Sequence, residues 1–161
     1  MIKRLVSLVE PTSPEESAWL GLESFAEVEI TSEDPAYPIE AALGAEATST
    51  DHGWRAATPG AQLVRLILRE PQRLRRILLS FNERERERTQ EFVLRWSPDG
   101  RVYYELLRQQ WNFNPVNATS QLEEAEVNLD GVKVLELRIT PDISGGDACA
   151  SLAAFRVAGY A

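Results

Sequence analysis

A single cysteine, Cys149, and a single histidine, His52, stand in a chain of 161 residues. Those two scarcities remove most catalytic and metal chemistry. One cysteine allows no internal disulfide, which fits a reducing compartment or a protein indifferent to redox state. The chain is also long enough to bury roughly two thirds of its unfolded surface, so it needs no such staple. Any Ser-His-Asp triad would have to use His52, yet there is no Gly-x-Ser-x-Gly elbow. No Cys or His pair has zinc spacing, and no glycine-rich loop is built to cradle phosphate. His52 reads as a surface loop residue and Cys149 as a small buried hydrophobe. The expectation is a protein that is not an enzyme and has no metal and no cofactor.

Long apolar runs are missing too. No stretch of about 18 apolar residues is present to span a bilayer. Residues 1–10 lack the apolar centre and small-residue cleavage site of a signal peptide, so a cytoplasmic protein without a membrane partner is expected. Positive charge is absent from residues 5–54, which hold eleven acidic groups, whereas residues 55–161 hold 15 basic and 14 acidic ones. A net charge of −8 makes a poor grip for a phosphate backbone, and no nucleic-acid partner is expected. The acidic first third is either a solvated face or a surface that meets a basic partner.

What the sequence does hold is period-two alternation. In residues 89–111, Phe92, Leu94 and Trp96 alternate with Val93, Arg95 and Ser97, the pattern of a strand with one buried face. Ser97, Pro98, Asp99 and Gly100 supply turn chemistry, and residues 102–107 lead away from it. This predicts a central hairpin with Trp96 in the core. Residues 2–9 read as a short strand and 14–20 as a short helix, with Ser13 capping and Pro14 at its first position. Residues 25–31 form a strand with Ala26, Val28 and Ile30 inward, and 38–44 one turn of helix closed by Gly44. Residues 45–60 read as a long ordered loop.

Two further strands, 62–68 and 74–81, are separated by a Glu70-Pro71 turn. Residues 82–88, with charge alternating along the segment, form a solvated loop, and 112–121 another loop. Strands 125–129 and 132–140 are predicted to be a hairpin at Asp130-Gly131. A loop at 141–147 and a last strand over 150–157 complete the chain. Eight or nine strands with little helix argue for an all-β sandwich in a single domain, 1–161, with residues 1–24 as an amino-terminal extension.

From about Ala26 to Val157 the order of elements resembles the discoidin, or coagulation-factor type C, domain among the galactose-binding-like jelly rolls. The likeness is carried by VEITSEDP, YPIEAALG, GWRA, LVRLIL with RILLSF, FVLRWSPDG, VLELRITP and ASLAAFRV. WRAATPG is also similar to a segment of an amino-terminal repair-scaffold domain in that group. The resemblance implies a jelly roll of mostly antiparallel strands with one or two short helices. It also implies a non-enzymatic module that binds sugars, lipid head groups or proteins through loops at one end. Many sugar-binding relatives hold calcium with an Asp after the short helix and a carboxylate in the last strand. Leu43 and the Ala153-Ala154-Phe155 run stand there instead, so no calcium is expected.

Candidate ligand-binding residues follow from chemistry. A Trp face at Trp54 stacks on sugar rings or cations, and Arg55 offers a planar fork of donors; alternatively Trp54 packs under its own loop while Arg55 pairs with Asp51. Trp111 and Asn112 form a second aromatic and amide group, suited to sugars or to a folded-down loop. Asp142 and Asp147 flank Ser144-Gly145-Gly146, as sugar or cation ligands or as turn formers. The leading expectation is recognition of a carbohydrate or similar small polar ligand. The alternative is an intracellular protein–protein interaction module.

Overall fold

The computed structural model describes residues 19–44 and 53–159. Within them the elements run α1 (Leu22–Phe25), β1 (Ala26–Ile30), α2 (Glu40–Leu43), β2 (Trp54–Pro59), β3 (Gln62–Asn82), β4 (Arg88–Ser97), β5 (Tyr104–Phe113), β6 (Ser120–Thr140), β7 (Cys149–Leu152) and β8 (Ala154–Gly159). Every ladder between these strands is antiparallel.

The two 21-residue strands decide the architecture. β3 and β6 pair along their whole length, Gln62 opposite Ile139 at one extremity and Asn82 opposite Ser120 at the other. Drawn straight, each would span about 70 Å. Yet only residues 83–87 join Asn82 to β4, which starts beside the Thr140 end of β6, and such a link reaches about 20 Å. The ribbon therefore folds back on itself. It bends between the pairs Ile67–Val134 and Arg76–Glu126, where the register shifts three times. Gly131, with φ of +67°, supplies a left-handed residue there that a side chain would strain.

Folding the ribbon makes two layers. The first has the order β1, early β3, late β6, β4, β5; the second has early β6, late β3 and β8. β2 pairs with β7, and the Ala153 N–H donates to the Ser80 carbonyl at 2.8 Å to join this pair to the second layer. Phe81 from one layer stacks on Phe92 from the other, ring centroids 5.2 Å apart. Leu66, Leu94, Leu137, Phe113 and Phe155 are sealed from solvent around them. Each such side chain contributes roughly 1.5–3 kcal/mol by leaving water.

Several expectations change. Residues 62–68 and 74–81 belong to one bent strand, not two, because the Glu70-Pro71 segment bulges while pairing continues on both sides. Asp130-Gly131 likewise marks a bend within β6, not a hairpin, since both halves of β6 pair with β3 and not with each other. Residues 54–59 are strand, not loop. The last strand is split at Ala153 into β7 and β8, which join different partners. Trp96 is half-buried at a sheet end, packed on Tyr104 at 5.2 Å, and β5 runs on to Phe113, so Trp111 and Asn112 are strand residues. Trp19 and Leu20 bond to β8 in extended form instead of ending a helix. The strand at 2–9, the rest of the helix at 14–20, Asp51 and His52 lie outside the described residues.

β1, the short helix at 40–43 and the Ser97–Gly100 turn follow their patterns. Ser97 Oγ accepts from the Gly100 N–H at 2.8 Å, and Asp99 accepts from the Arg101 and Val102 N–H groups at 2.8 and 3.0 Å. Those backbone donors, Val102 first, hold the Asp99 carboxyl below its ordinary range.

Candidate functional site

Folding β3 and β6 in half brings the loops 83–87, 114–119 and 141–148 to one end of the sandwich. The Glu83 N–H donates to the Thr119 carbonyl and the Ile143 N–H to the Thr89 carbonyl, both at 2.8 Å. Beside them opens a cleft of about 260 Å³, lined by Tyr37, the Gly53–Arg55 start of β2, Asn82 to Glu85, and the Ser151–Ala153 corner. That volume is just under the roughly 300–1,000 Å³ of pockets that enclose drug-sized ligands, a size suited to one or two small rings at an open mouth.

Backbone pairing sets its walls. The Arg55 N–H donates to the Tyr37 carbonyl at 3.2 Å, and the Asp34 N–H donates to the Arg55 carbonyl at 2.8 Å. The loop before α2 is thereby tied along β2, and the Arg55 guanidinium lies 4.6 Å from the Tyr37 ring centre. Stacked so, the guanidinium keeps its in-plane N–H donors for a ligand. At the floor, a Cβ on Gly53 would lie 2.3 Å from the Leu152 carbonyl oxygen. Only glycine lets β2 approach the β7–β8 corner this closely.

The charged loop is anchored from below. Arg88 is sealed in, its side chain 1% exposed, over the Phe113 ring at 4.7 Å. It donates to Glu83 at 2.8 Å, the Pro141 carbonyl at 2.8 Å and Gln90 at 3.1 Å. One buried guanidinium thus ties β4 to two of the end loops. Of the segment 82–88 expected as a solvated loop, 83–87 is loop, while Asn82 ends β3 and Arg88 opens β4 and is buried.

The six residues singled out from sequence separate into three places. Trp54 and Arg55 both line the cleft. Trp54, however, is 1% exposed and its indole N–H donates to the Ser32 carbonyl at 3.0 Å, so it forms wall and core and offers no ring face for stacking. Arg55 is exposed and packs on Tyr37. Trp111, 38% exposed, and Asn112 lie on the edge strand β5, outside the cleft lining. Asn112 Oδ1 accepts from the Thr89 hydroxyl at 3.1 Å. Asp142 closes a turn onto the Ser144 N–H at 3.0 Å. Asp147 pairs with Arg86 at 2.7 Å, which holds its carboxyl below the ordinary range.

Sequence reasoning passed over Tyr37, Asn82 and Ser151. A tyrosine before a one-turn helix carries no signal of its own, and Ser151 looks like any outward strand residue. The missed clue was the NERERER loop, whose polarity faces a cleft. Among the described residues, no three Asp, Glu, His or Cys side chains converge to hold a metal ion.

With that geometry, the fold is the discoidin-like, galactose-binding-like jelly roll. The chain is similar to the module CBM32-3 of a family 31 glycoside hydrolase from Clostridium perfringens, with 15% identity and a TM-score of 0.61 over 93% of this chain and 100% of the module. It is also similar to the family 32 carbohydrate-binding module of NanJ from C. perfringens, solved in complex with galactose (16% identity, TM-score 0.59, 87% and 97% covered). A pectin-binding carbohydrate-binding module matches at 16% identity and a TM-score of 0.55, with 86% and 93% covered. No family model matches this chain, and no curated protein sequence matches it.

Proposed function

We propose that this chain is a non-catalytic carbohydrate-binding domain whose loop-end cleft receives a sugar residue. The observation that carries this reading is the Tyr37–Arg55 stack at a cleft whose lining also carries the polar side chains of Asn82, Glu83 and Ser151, the Ser151 hydroxyl donating to the Asn82 carbonyl at 3.4 Å. A pyranose needs an apolar or π surface for its C–H face and fixed donors and acceptors for its hydroxyls. The stack and the loop offer both. Solved modules of the same fold, one with galactose bound and one described as pectin-binding, support the ligand class.

The test is a glycan array followed by calorimetric titration of the best sugar. Arg55→Ala and Tyr37→Ala are expected to weaken binding about tenfold or more, the size of one lost charge-assisted hydrogen bond or stacking contact. The melting temperature of Arg55→Ala should not change. Full affinity in both variants would sink the assignment of the cleft.

A second reading, a protein-interaction module, is favoured by one observation. β5 is a ten-residue edge strand without proline or lysine that carries exposed Tyr104 and Trp111, and an open edge of this kind accepts a partner strand. Capture of a protein that is released by a proline in β5 would move the assignment there.

A further inference from the structure

The outer face of the first layer carries charge in an ordered pattern. Across the strands, Arg65, Glu136 and Arg95 form one row, and Leu63, Arg138 and Val93 form the next. Together with Glu91, Arg108 and Thr140 they line an open trough of about 430 Å³ that shares no lining residue with the cleft.

Each carboxylate of this face is already engaged. Glu136, its side chain 4% exposed, accepts from Arg65 at 2.8 Å and from Arg95. Burial would raise its carboxyl, but the hydrogen bonds from Arg95 and Arg65 outweigh burial and hold it below the ordinary range. Glu29 takes a second donor of Arg65 at 2.9 Å. Glu91 and Glu105 accept from Arg108 at 3.0 and 2.8 Å. Arg138 is different: it is exposed, and among the described residues no hydrogen bond, ion pair or ring contact holds its guanidinium. On its row it has only Leu63 and Val93 as neighbours, both half-buried. Of the four guanidinium groups that line this trough, Arg65, Arg95 and Arg108 are matched by these carboxylates, and the unmatched charge is that of Arg138.

We infer that the trough is a second binding site, for the carboxylate of an acidic sugar, with Arg138 as the residue that receives it. The inference rests on the carbohydrate-binding reading above but not on the cleft. A guanidinium fork matches a carboxylate in two parallel hydrogen bonds, and Leu63 and Val93 offer the apolar floor that a pyranose C–H face covers. An acidic peptide fits less well. The trough lies over β3, β6 and β4, which are interior strands whose backbone groups are spent on one another, so a peptide would gain no main-chain pairing. A phosphate backbone would meet the surrounding Glu29, Glu91 and Glu105 and an overall charge of −8.

The experiment titrates the intact protein with oligogalacturonides and, separately, with their methyl esters, which keep the rings and lose the charge. The acid form is expected to bind and the ester to bind at least tenfold more weakly. Arg138→Gln should weaken the acid form about tenfold to a hundredfold at an unchanged melting temperature, since Arg138 holds nothing in the fold. Arg55→Ala should leave that binding intact. Equal binding of acid and ester, full affinity in Arg138→Gln, or tighter binding of poly-glutamate would overturn the inference. Loss of acid-sugar binding in Arg55→Ala alone would move the ligand into the cleft, sinking this site while sparing the proposed function. Acid-sugar binding that depends on Arg138, with no ligand found for the cleft, would do the reverse.

Discussion

Arg88 at the loop end and Arg138 on the outer sheet face are arginines put to opposite uses. At the loop end Arg88 is sealed beneath its loops and satisfied by Glu83, Gln90 and the Pro141 carbonyl. On the sheet face Arg138 is exposed and held by nothing described. A buried cation without its partners is ruinous, whereas an exposed one costs little. Arg88 therefore commits stability to the end where the cleft is shaped, and the sheet face is free to present one unmatched charge.

The sharpest way to break this contrast is Arg88→Met. It takes the guanidinium from the Pro141 carbonyl and from the Glu83 carboxylate, which keeps the Glu85 N–H at 3.2 Å, and losing one partner of a buried pair costs about 3–5 kcal/mol. For a chain of this size each kcal/mol moves the melting temperature by roughly 2–4 °C. Urea unfolding monitored by tryptophan fluorescence measures the loss. A cost within error of Arg138→Gln would mean that the loop end is no more committed to its guanidinium than the sheet face.

Gly53→Ala is the next smaller break. Its Cβ would meet the Leu152 carbonyl at 2.3 Å and the Ala153 Cα at 2.8 Å, both backbone atoms with no rotamer to yield, so β2 must lift from the corner. Overpacking of this kind costs about 1–3 kcal/mol, and the cleft floor moves with it. A thermal melt of Gly53→Ala, with sugar titration beside it, should register both changes. An unchanged melting temperature would show that β2 has slack at this point.

These two residues also show what could be read in the sequence and what could not. The layers were legible because alternation in β1 and β4 is local: Ala26, Val28 and Ile30 on one face, Phe92 and Leu94 on another, with Ser97 and Gly100 fixing a turn by their own chemistry. The bends were misread for a physical reason. Pro71 and Asp130-Gly131 carry turn signals, and whether such a signal ends a strand or only kinks it depends on pairing by a distant strand. Arg88 looked solvated because its neighbours in NERERER are. Its burial comes from Phe113 and Pro141, which a local window cannot see. Trp54 reads as a ring for stacking, but its side-chain direction is fixed by the Ser32 carbonyl, 22 residues away.

The smallest effect tests the sheet face itself. Glu136 has a carboxyl held below its ordinary value by Arg95 and Arg65 against the cost of burial. A group depressed in the folded state adds stability that is fully present above its unfolded pKa, about 4.3, and is lost as the pH falls through the lower folded value. Acid titration of stability should therefore slope downward below about pH 4 to 5, and Glu136→Gln should flatten part of that limb. At neutral pH the same substitution should cost about 1 kcal/mol. Hydrogen bonds to charged groups contribute more than that when buried, but Arg65 and Arg95 are 32% and 41% exposed and solvent screens them. Removing the carboxylate also releases the Arg95 guanidinium and one edge of Arg65, which keeps Glu29, beside Arg138. If the trough takes acidic sugars, Glu136→Gln binds oligogalacturonides more tightly even as it folds less stably. A variant that loses stability and gains no affinity would reduce this face to a surface ion-pair network.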